Sequence, residues 1–532
     1  MRAERIGAAV LSCALASAGA WAADLPADPA TFQTLLPKLK PGDTLRLAAG
    51  TYPHFNISGL NGTGTNWITI AGPASGPAAI VEADPGPCCN TIEITGSSFV
   101  AIEHLTIDGK NIDGAFGLSA SGGASPVHDI RVEGCTFLNH HGSQGQDGIS
   151  TKTPTWGWII RNNRISSVGT GLYLGNSTGD DPFVGGLIEG NLVENPIGYC
   201  MEIKFQTARA TVAGMPTGPT STIIRNNVFI KNDDPSPDGD RPNVLFGGFP
   251  DTGPGSTDRY EIYGNVFFHN PRESLLQASG RVTVHDNLFV DVRGTAVLLQ
   301  NHDLPLKLAY VYNNTVFGAG TGISFGSSAG QGDAVVGNLV FAATAIRGSI
   351  QNQKDNLIDT TANAASYVKT PSIQLGAMDF YPLPGKCQGT ALDLAIMSED
   401  VDYAVDFNGT SKGEFKFRGA YAGEGTNPGW LIGDGLKSGG PMRDGGVVQG
   451  SGGVSGSVDA GGGIAGAGGL PAGAGGAAGG ADGFGAPGSS AANGGAGCGC
   501  RVGAPPARRD AFAALLLLAV VARRWSRATT TD

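Results

Sequence analysis

Charge is scarce in this chain. Asp, Glu, Lys and Arg make up 15% of its 532 residues, and the formal net charge is −11. That balance excludes a nucleic-acid surface, whose phosphates demand clustered Lys and Arg. It also repels acidic polysaccharides at long range, so such a ligand would need a local group of cations. Cysteine is scarcer still. Apart from Cys13 near the N-terminus, the cysteines are Cys88, Cys89, Cys135, Cys200, Cys387, Cys498 and Cys500. They are too few and too scattered for a disulfide framework. Cys88 and Cys89 are close enough in sequence to bridge, Cys135 and Cys200 read as buried thiols, and no CxxC or His-rich spacing suggests zinc.

Glycine, by contrast, is abundant, with 85 residues. Much of it falls in residues 431–497, a Gly/Ala/Ser linker typified by "GGGIAGAGGLPAGAGGAAGG". Such a segment cannot bury enough apolar area to offset its ordering entropy, so it is expected to be a disordered tether. The N-terminus reads as an export signal over residues 1–22. Arg2 and Arg5 precede an apolar run from Ile6 to Ala20, and Ala20-Trp21-Ala22 offers a cleavage site. Residues 498–532 begin with the Cys498/Cys500 pair, continue through the apolar run Ala511 to Ala522, and carry Arg523, Arg524 and Arg527. The run is shorter than the ~20 residues a membrane-spanning helix needs. This order resembles the myxobacterial C-terminal sorting signal, which implies processing near Cys498 or Cys500 and display at the cell surface. The competing reading is a short hydrophobic helix anchoring the chain to a membrane.

Between these ends lies a repeat. "IIRNNRI", "LIEGNLV", "IIRNNVF", "EIYGNVF", "TVHDNLF", "YVYNNTVF" and "AVVGNLV" share β-formers, then Asn, then apolar residues. The shared residues are Asn163, Asn191, Asn227, Asn265, Asn287, Asn314 and Asn338, at steps from 22 to 38 residues. Short strands that cannot bury an inner face alone gain a core by stacking. Asn before an apolar pair suits a left-handed bend, and stacked amides can bond up the ladder. Upstream, "PATFQTLLPKL" (29–39) places Phe32, Leu35, Leu36 and Leu39 on one helical face, as a cap would need. "LKPGDTLRLAAGTYP" resembles the first coil of pectate-lyase-like right-handed β-helix proteins, and "MDFYPLPGKC" and "DFNGTSKGEFKFRGAYAG" resemble their closing coils. The resemblance implies an all-β right-handed parallel β-helix over residues 23–430 with an N-terminal capping helix. It does not fix function, because this fold hosts lyases, hydrolases, epimerases and inert surface proteins.

Within the repeat, "MEIKF" alternates: Met201, Ile203 and Phe205 point inward, Glu202 and Lys204 outward. Aligning neighbouring coils gives a Lys204 row of Lys152, Gly175, Lys204, Gly247, Gln300 and Gly326. The Glu202 row reads Ser150, Tyr173, Glu202, Leu245, Leu298 and Ser324. Lys152 and Lys204 then flank a glycine gap beside Tyr173, with cations for carboxylates and an aromatic face for a sugar. A second outward row, Glu133, Arg161, Glu189 and Arg225, alternates in sign and reads as a structural ion-pair ladder; Glu202 with Lys204 is open to the same structural reading. Flanking loops add His140, His141 and Asp147 at one end and Asn176, Asp180 and Asp181 at the other. With Glu202, these oxygens are candidates for Ca²⁺, which takes six to eight, although the same residues are ordinary turn formers.

"GNLVENPIGYCMEIKFQT" followed by "IIRNNVF" is similar to the catalytic region of the chondroitinase B and alginate lyase family. The resemblance implies Lys204 as the base and Glu202 as a calcium ligand, for β-elimination on a uronate polymer; Lys152, from the coil alignment, is the candidate second cation. An exposed lysine titrates near 10.4, a poor base at neutral pH, so a neighbouring cation would have to lower it. The chain departs from the family on the next coil, "RPNVLFGGFP". Leu245 and Gly247 occupy the outward positions where an Arg is expected, and only Arg241 is close. Two classes stay open: an enzyme acting on an acidic glycan, or a surface solenoid that binds glycans or partners without catalysis. A C5-epimerase using Lys204 with His140 or His141 is a further alternative. A glycoside hydrolase fits less well, since Asp147 stands alone.

Overall fold

The structure is a computed structural model that describes residues 22–84, 90–122 and 125–437. Three parallel strand stacks wind along one axis. The first face is a 13-stranded sheet running from Asp24–Ala27 to Asn352–Lys354. The second includes Thr136–Leu138, Arg164–Ser166, Leu192–Glu194 and Val228–Ile230. The third includes Phe116–Ala120, Asp147–Thr151, Thr170–Leu174, Met201–Ile203 and Val244–Phe246. Each coil visits the three in order, and the chain is a parallel β-helix.

Inward side chains stack in columns. On the first face Ile160, Ile188, Ile224, Ile262, Val284, Val311 and Val335 lie in register and are fully buried. β-Branched residues suit this pleated surface, and each buried aliphatic side chain contributes about 1.5–3 kcal/mol.

The corner between first and second faces is an amide ladder. Asn163, Asn191, Asn227, Asn265, Asn287, Asn314 and Asn338 each donate Nδ2 to the next Asn Oδ1 at 2.9–3.1 Å, and the ladder ends on Asn356. The same Oδ1 also accepts the preceding Asn backbone N–H. The left-handed bend falls one residue earlier than the sequence suggested. It is taken by Asn162, Gly190, Asn226, Gly264, Asp286, Asn313, Gly337 and Asp355, residue types that tolerate positive φ. That bend leaves the ladder Asn facing inward.

At the N-terminal end, the segment expected as a capping helix forms one α-helical turn, Phe32–Leu35, and a 3-10 turn, Leu36–Lys38. Phe32 closes the core edge-on against Tyr52 and Phe55, at 5.1 and 5.6 Å.

The last coil strand is Leu357–Asp359. The stretches read as closing coils are instead a strap laid along the outside. Phe380, Phe407 and Tyr421 pack on the outward sides of Val228, Val266, Leu288 and Phe317. The strap also corrects the ion-pair ladder. Glu133–Arg161, at 2.9 Å, is partly exposed, but Glu189–Arg225, at 2.7 Å, is buried, with strap residue Asp402 3.5 Å from Arg225. Cys135, Cys200 and Cys387 are buried thiols whose pKa values burial pushes up to about 12, so they are inert. The segment read as an export signal, up to residue 21, Cys88, Cys89, and everything from residue 438 on, including the rest of the segment read as a linker and the segment read as a sorting signal, lie outside the described residues. No helix among the described residues is long and apolar enough to cross a membrane.

Candidate functional site

The third face carries the cluster. Backbone register pairs Ser150 with Tyr173, Tyr173 with Glu202, and Glu202 with Leu245. The row then runs through Gln277 to Leu298 and Ser324. Gln277 lies on strand Leu276–Ala278, the third-face strand of the coil whose corner is Asn265, which the alignment of outward rows passed over.

Tyr173 sits between two cations. Lys152 Nζ is 5.7 Å and Lys204 Nζ 5.8 Å from its ring centroid. Lys152 also lies 4.4 Å from the Phe116 ring, and the Arg241 guanidinium 5.7 Å from the Tyr199 ring. Thus three cations each face an aromatic ring, an arrangement worth about 0.5–2 kcal/mol per pair. Phe116 and Tyr199 were missed in the sequence because their roles appear only when coils stack. Each lysine is also held by a carboxylate: Lys204 by Glu202 at 2.8 Å and Lys152 by Asp147 at 3.4 Å. Lys204 and Glu202 side chains are 16% and 6% exposed, so the pair is covered rather than free on the surface.

Electrostatics follow from this burial. The Asp147 carboxyl is pushed up to about 7, mainly by burial and further by the nearby Glu202 charge, with Lys152 opposing. Burial likewise holds the Tyr173 hydroxyl above the ordinary phenol range, reinforced by Glu202 and Asp147. The Tyr199 hydroxyl is raised by burial and Glu202, with Arg241 opposing.

Four expectations change. The glycine gap is not open. A Cβ on Gly175, where φ is +88°, would lie 3.2 Å from Lys204 Cβ, so the lysine stem fills the space. Gly247 is needed because the Phe205 backbone passes directly over it. Phe205 is not a core residue: the strand ends at Ile203, and Phe205 packs against Gly179 in the loop of the preceding coil. His140 is wholly buried, with Nδ1 3.2 Å from the Ala115 carbonyl, and burial lowers its pKa to about 4. It does not reach the face, whereas His141 lies exposed on its loop.

The calcium donors do not assemble. Asn176 Nδ2 donates to Asp180 at 2.5 Å and to Asp181 at 2.9 Å, while the Asn176 Oδ1 accepts the Asp181 backbone N–H. These residues satisfy one another in a turn, and Glu202 and Asp147 are taken by lysines. Among the described residues no group of three or more His, Cys, Asp or Glu is placed to hold a metal ion. The residues present do not fit a calcium site.

No curated protein sequence matches the chain. Similar solved structures include pectate lyase Pel9A, at 13% identity and a TM-score of 0.47 over 76% of this chain and 96% of that one. An alginate lyase from Paenibacillus sp. str. FPU-7 is 17% identical, with a TM-score of 0.34 over 63% of this chain and 99% of that one. The Azotobacter vinelandii mannuronan C-5 epimerase AlgE4 A-module is 17% identical, with a TM-score of 0.40 over 63% of this chain and 98% of that one. Likeness at this level carries no argument about activity. Residues 147–340, which hold the lysine cluster, match the family described as "Right handed beta helix region", and the fold is a right-handed parallel β-helix.

Proposed function

We propose that this chain is an exported β-helix protein whose third face binds an acidic polysaccharide. One observation carries the reading: Lys152 and Lys204 lie over aromatic rings on the third face, and Arg241 lies over Tyr199 in the loops that lead into it. Rings offer apolar surface to sugar faces, and the cations meet carboxylates. In a chain of net charge −11, this local group supplies what long-range attraction cannot.

Binding without cleavage fits the geometry better than β-elimination. An elimination base must offer a lone pair to the proton it removes. Lys204 instead donates to Glu202 at 2.8 Å, and the outward positions on the following coils are Leu245 and Gln277. The lyase reading is favoured by one feature, the two ammonium groups converging on Tyr173. A panel of uronate polymers separates the two. Retardation of the purified protein by polygalacturonate or alginate, with no rise in ultraviolet absorbance from unsaturated ends, supports binding. A rise abolished by Lys204→Ala supports elimination, and indifference to every acidic polymer overturns both.

A further inference from the structure

The wall beside Tyr199 is a loop, residues 231–243, between strands Val228–Ile230 and Val244–Phe246. Near its end lies Arg241, whose guanidinium faces Tyr199 and donates to the carbonyls of Asp238 and Asp240 at 3.1 and 3.0 Å. The Arg241 carbonyl is itself fixed by Lys231 Nζ and Asn270 Nδ2, at 3.1 and 3.0 Å.

The rest of the loop is tied down by the next coil. Arg272 Nη1 donates to the carbonyls of Asp233 and Asp234 at 3.3 and 2.9 Å, and its Nε lies 3.6 Å from the Asp240 carboxylate. His269 bridges two carboxylates, with Nδ1 2.7 Å from Asp291 and Nε2 3.3 Å from Asp233. Asp291 belongs to the following coil and Asp233 to the loop. A neutral imidazole has one N–H and can donate to only one of them; the imidazolium donates to both. His269 and Asp291 both adopt positive φ, 59° and 62°, at adjoining corners of neighbouring coils.

We propose that His269 and Arg272 form a pH-dependent latch that positions Arg241 on the binding face: protonated His269 clamps the loop, and neutral His269 releases it. This rests on the reading of the third face as an acidic-glycan site. The groups facing His269 are Asp291 from the following coil, Asp233 from the loop and the Phe268 ring beside it. Arg272 anchors the same loop segment through main-chain carbonyls. The two carboxylates raise the His269 pKa above its ordinary value, with Asp291 the larger cause and burial opposing. A raised folded pKa means that the clamp is complete below the ordinary histidine value and is lost as pH rises through the folded one.

Hydrogen exchange of residues 232–240, corrected for intrinsic pH dependence, tests the latch without relying on binding. In the wild-type protein, exchange should rise about three- to fivefold between pH 6 and 8.5, the scale of a partly exposed ion pair. In His269→Gln it should already be raised at pH 6 and stay flat. Asp233→Asn gives the same test at a side chain 83% exposed, where folding is not at stake. Polygalacturonate affinity, measured alongside, should fall over the same pH range in wild type only. Wild-type exchange that ignores pH, or variants that leave it unchanged, overturns the latch. Exchange that follows pH while affinity does not overturns the coupling to Arg241. Absence of polygalacturonate binding at every pH overturns the glycan reading instead, with the exchange result still deciding the latch.

Discussion

The Lys204 ammonium lies 2.8 Å from the Glu202 carboxylate, with both side chains mostly covered. That cover distinguishes the pair from the partly exposed Glu133–Arg161 rung, whose worth is near 0–1 kcal/mol. Removing Glu202 therefore has two effects of opposite sign. Glu202→Gln should cost about 1–3 kcal/mol of stability in urea unfolding, because a covered ammonium loses its partner. It should also tighten polygalacturonate binding, because Lys204 becomes free to meet a ligand carboxylate. Weaker binding would mean that Glu202 itself contacts the ligand.

The amide ladder predicts a gradient of stability. Asn265 Nδ2 donates to Asn287, Ile224 and Tyr263, while its Oδ1 accepts from Asn227. Asn356 ends the ladder and is only part-buried. Asn265→Ala should cost about 3 kcal/mol or more, since several buried groups are orphaned, and Asn356→Ala should cost clearly less. Equal losses in urea unfolding would show that the ladder does not act as drawn.

The ladder was the most legible feature of the sequence, because one residue type recurs before an apolar pair. The alternation in "MEIKF" gave the third-face register correctly from Ser150 to Leu245. The third-face strand holding Gln277 escaped notice although Asn265 marks its coil, because "ESLLQASG" has no charged or aromatic outward residue to draw it into the aligned rows. The strap was misread because its segments carry apolar residues without the repeat, and only packing shows that Phe380 and Phe407 cover an outer face. His140 looked like a surface loop residue; its burial depends on the chain turning inward between Asn139 and His141, which spacing does not reveal.

Beneath the strap, Glu261 is fully buried beside Arg259 and near Asp400. Burial pushes its carboxyl from 4.5 to about 8, with Arg259 opposing and Asp400 adding. Between those values the folded state holds a proton that the unfolded state releases, so stability falls as pH rises. Glu261→Gln removes that slope. The variant should gain about 1–3 kcal/mol relative to wild type between pH 5 and pH 8. Urea midpoints at both pH values test it, and an unchanged difference would contradict the buried-acid account.

Calcium should leave this protein unaffected. Asn176, Asp180 and Asp181 satisfy one another, and Glu202 and Asp147 are held by lysines. Neither millimolar calcium nor a chelator should shift the thermal midpoint. A rise with calcium would show that the turn opens to take the ion.

The central claim is that the two lysines around Tyr173 bind an anionic sugar chain. The most direct test is calorimetric titration of a polygalacturonate oligomer into wild type and into the Lys152→Ala/Lys204→Ala double variant, at low and high salt. The account predicts salt-sensitive binding by wild type, weakened at least tenfold in the double variant, with the unfolding midpoint lowered because the covered Glu202 and Asp147 carboxylates lose their partners, but the protein still folded at the titration temperature. Equal affinity in the two proteins would contradict it.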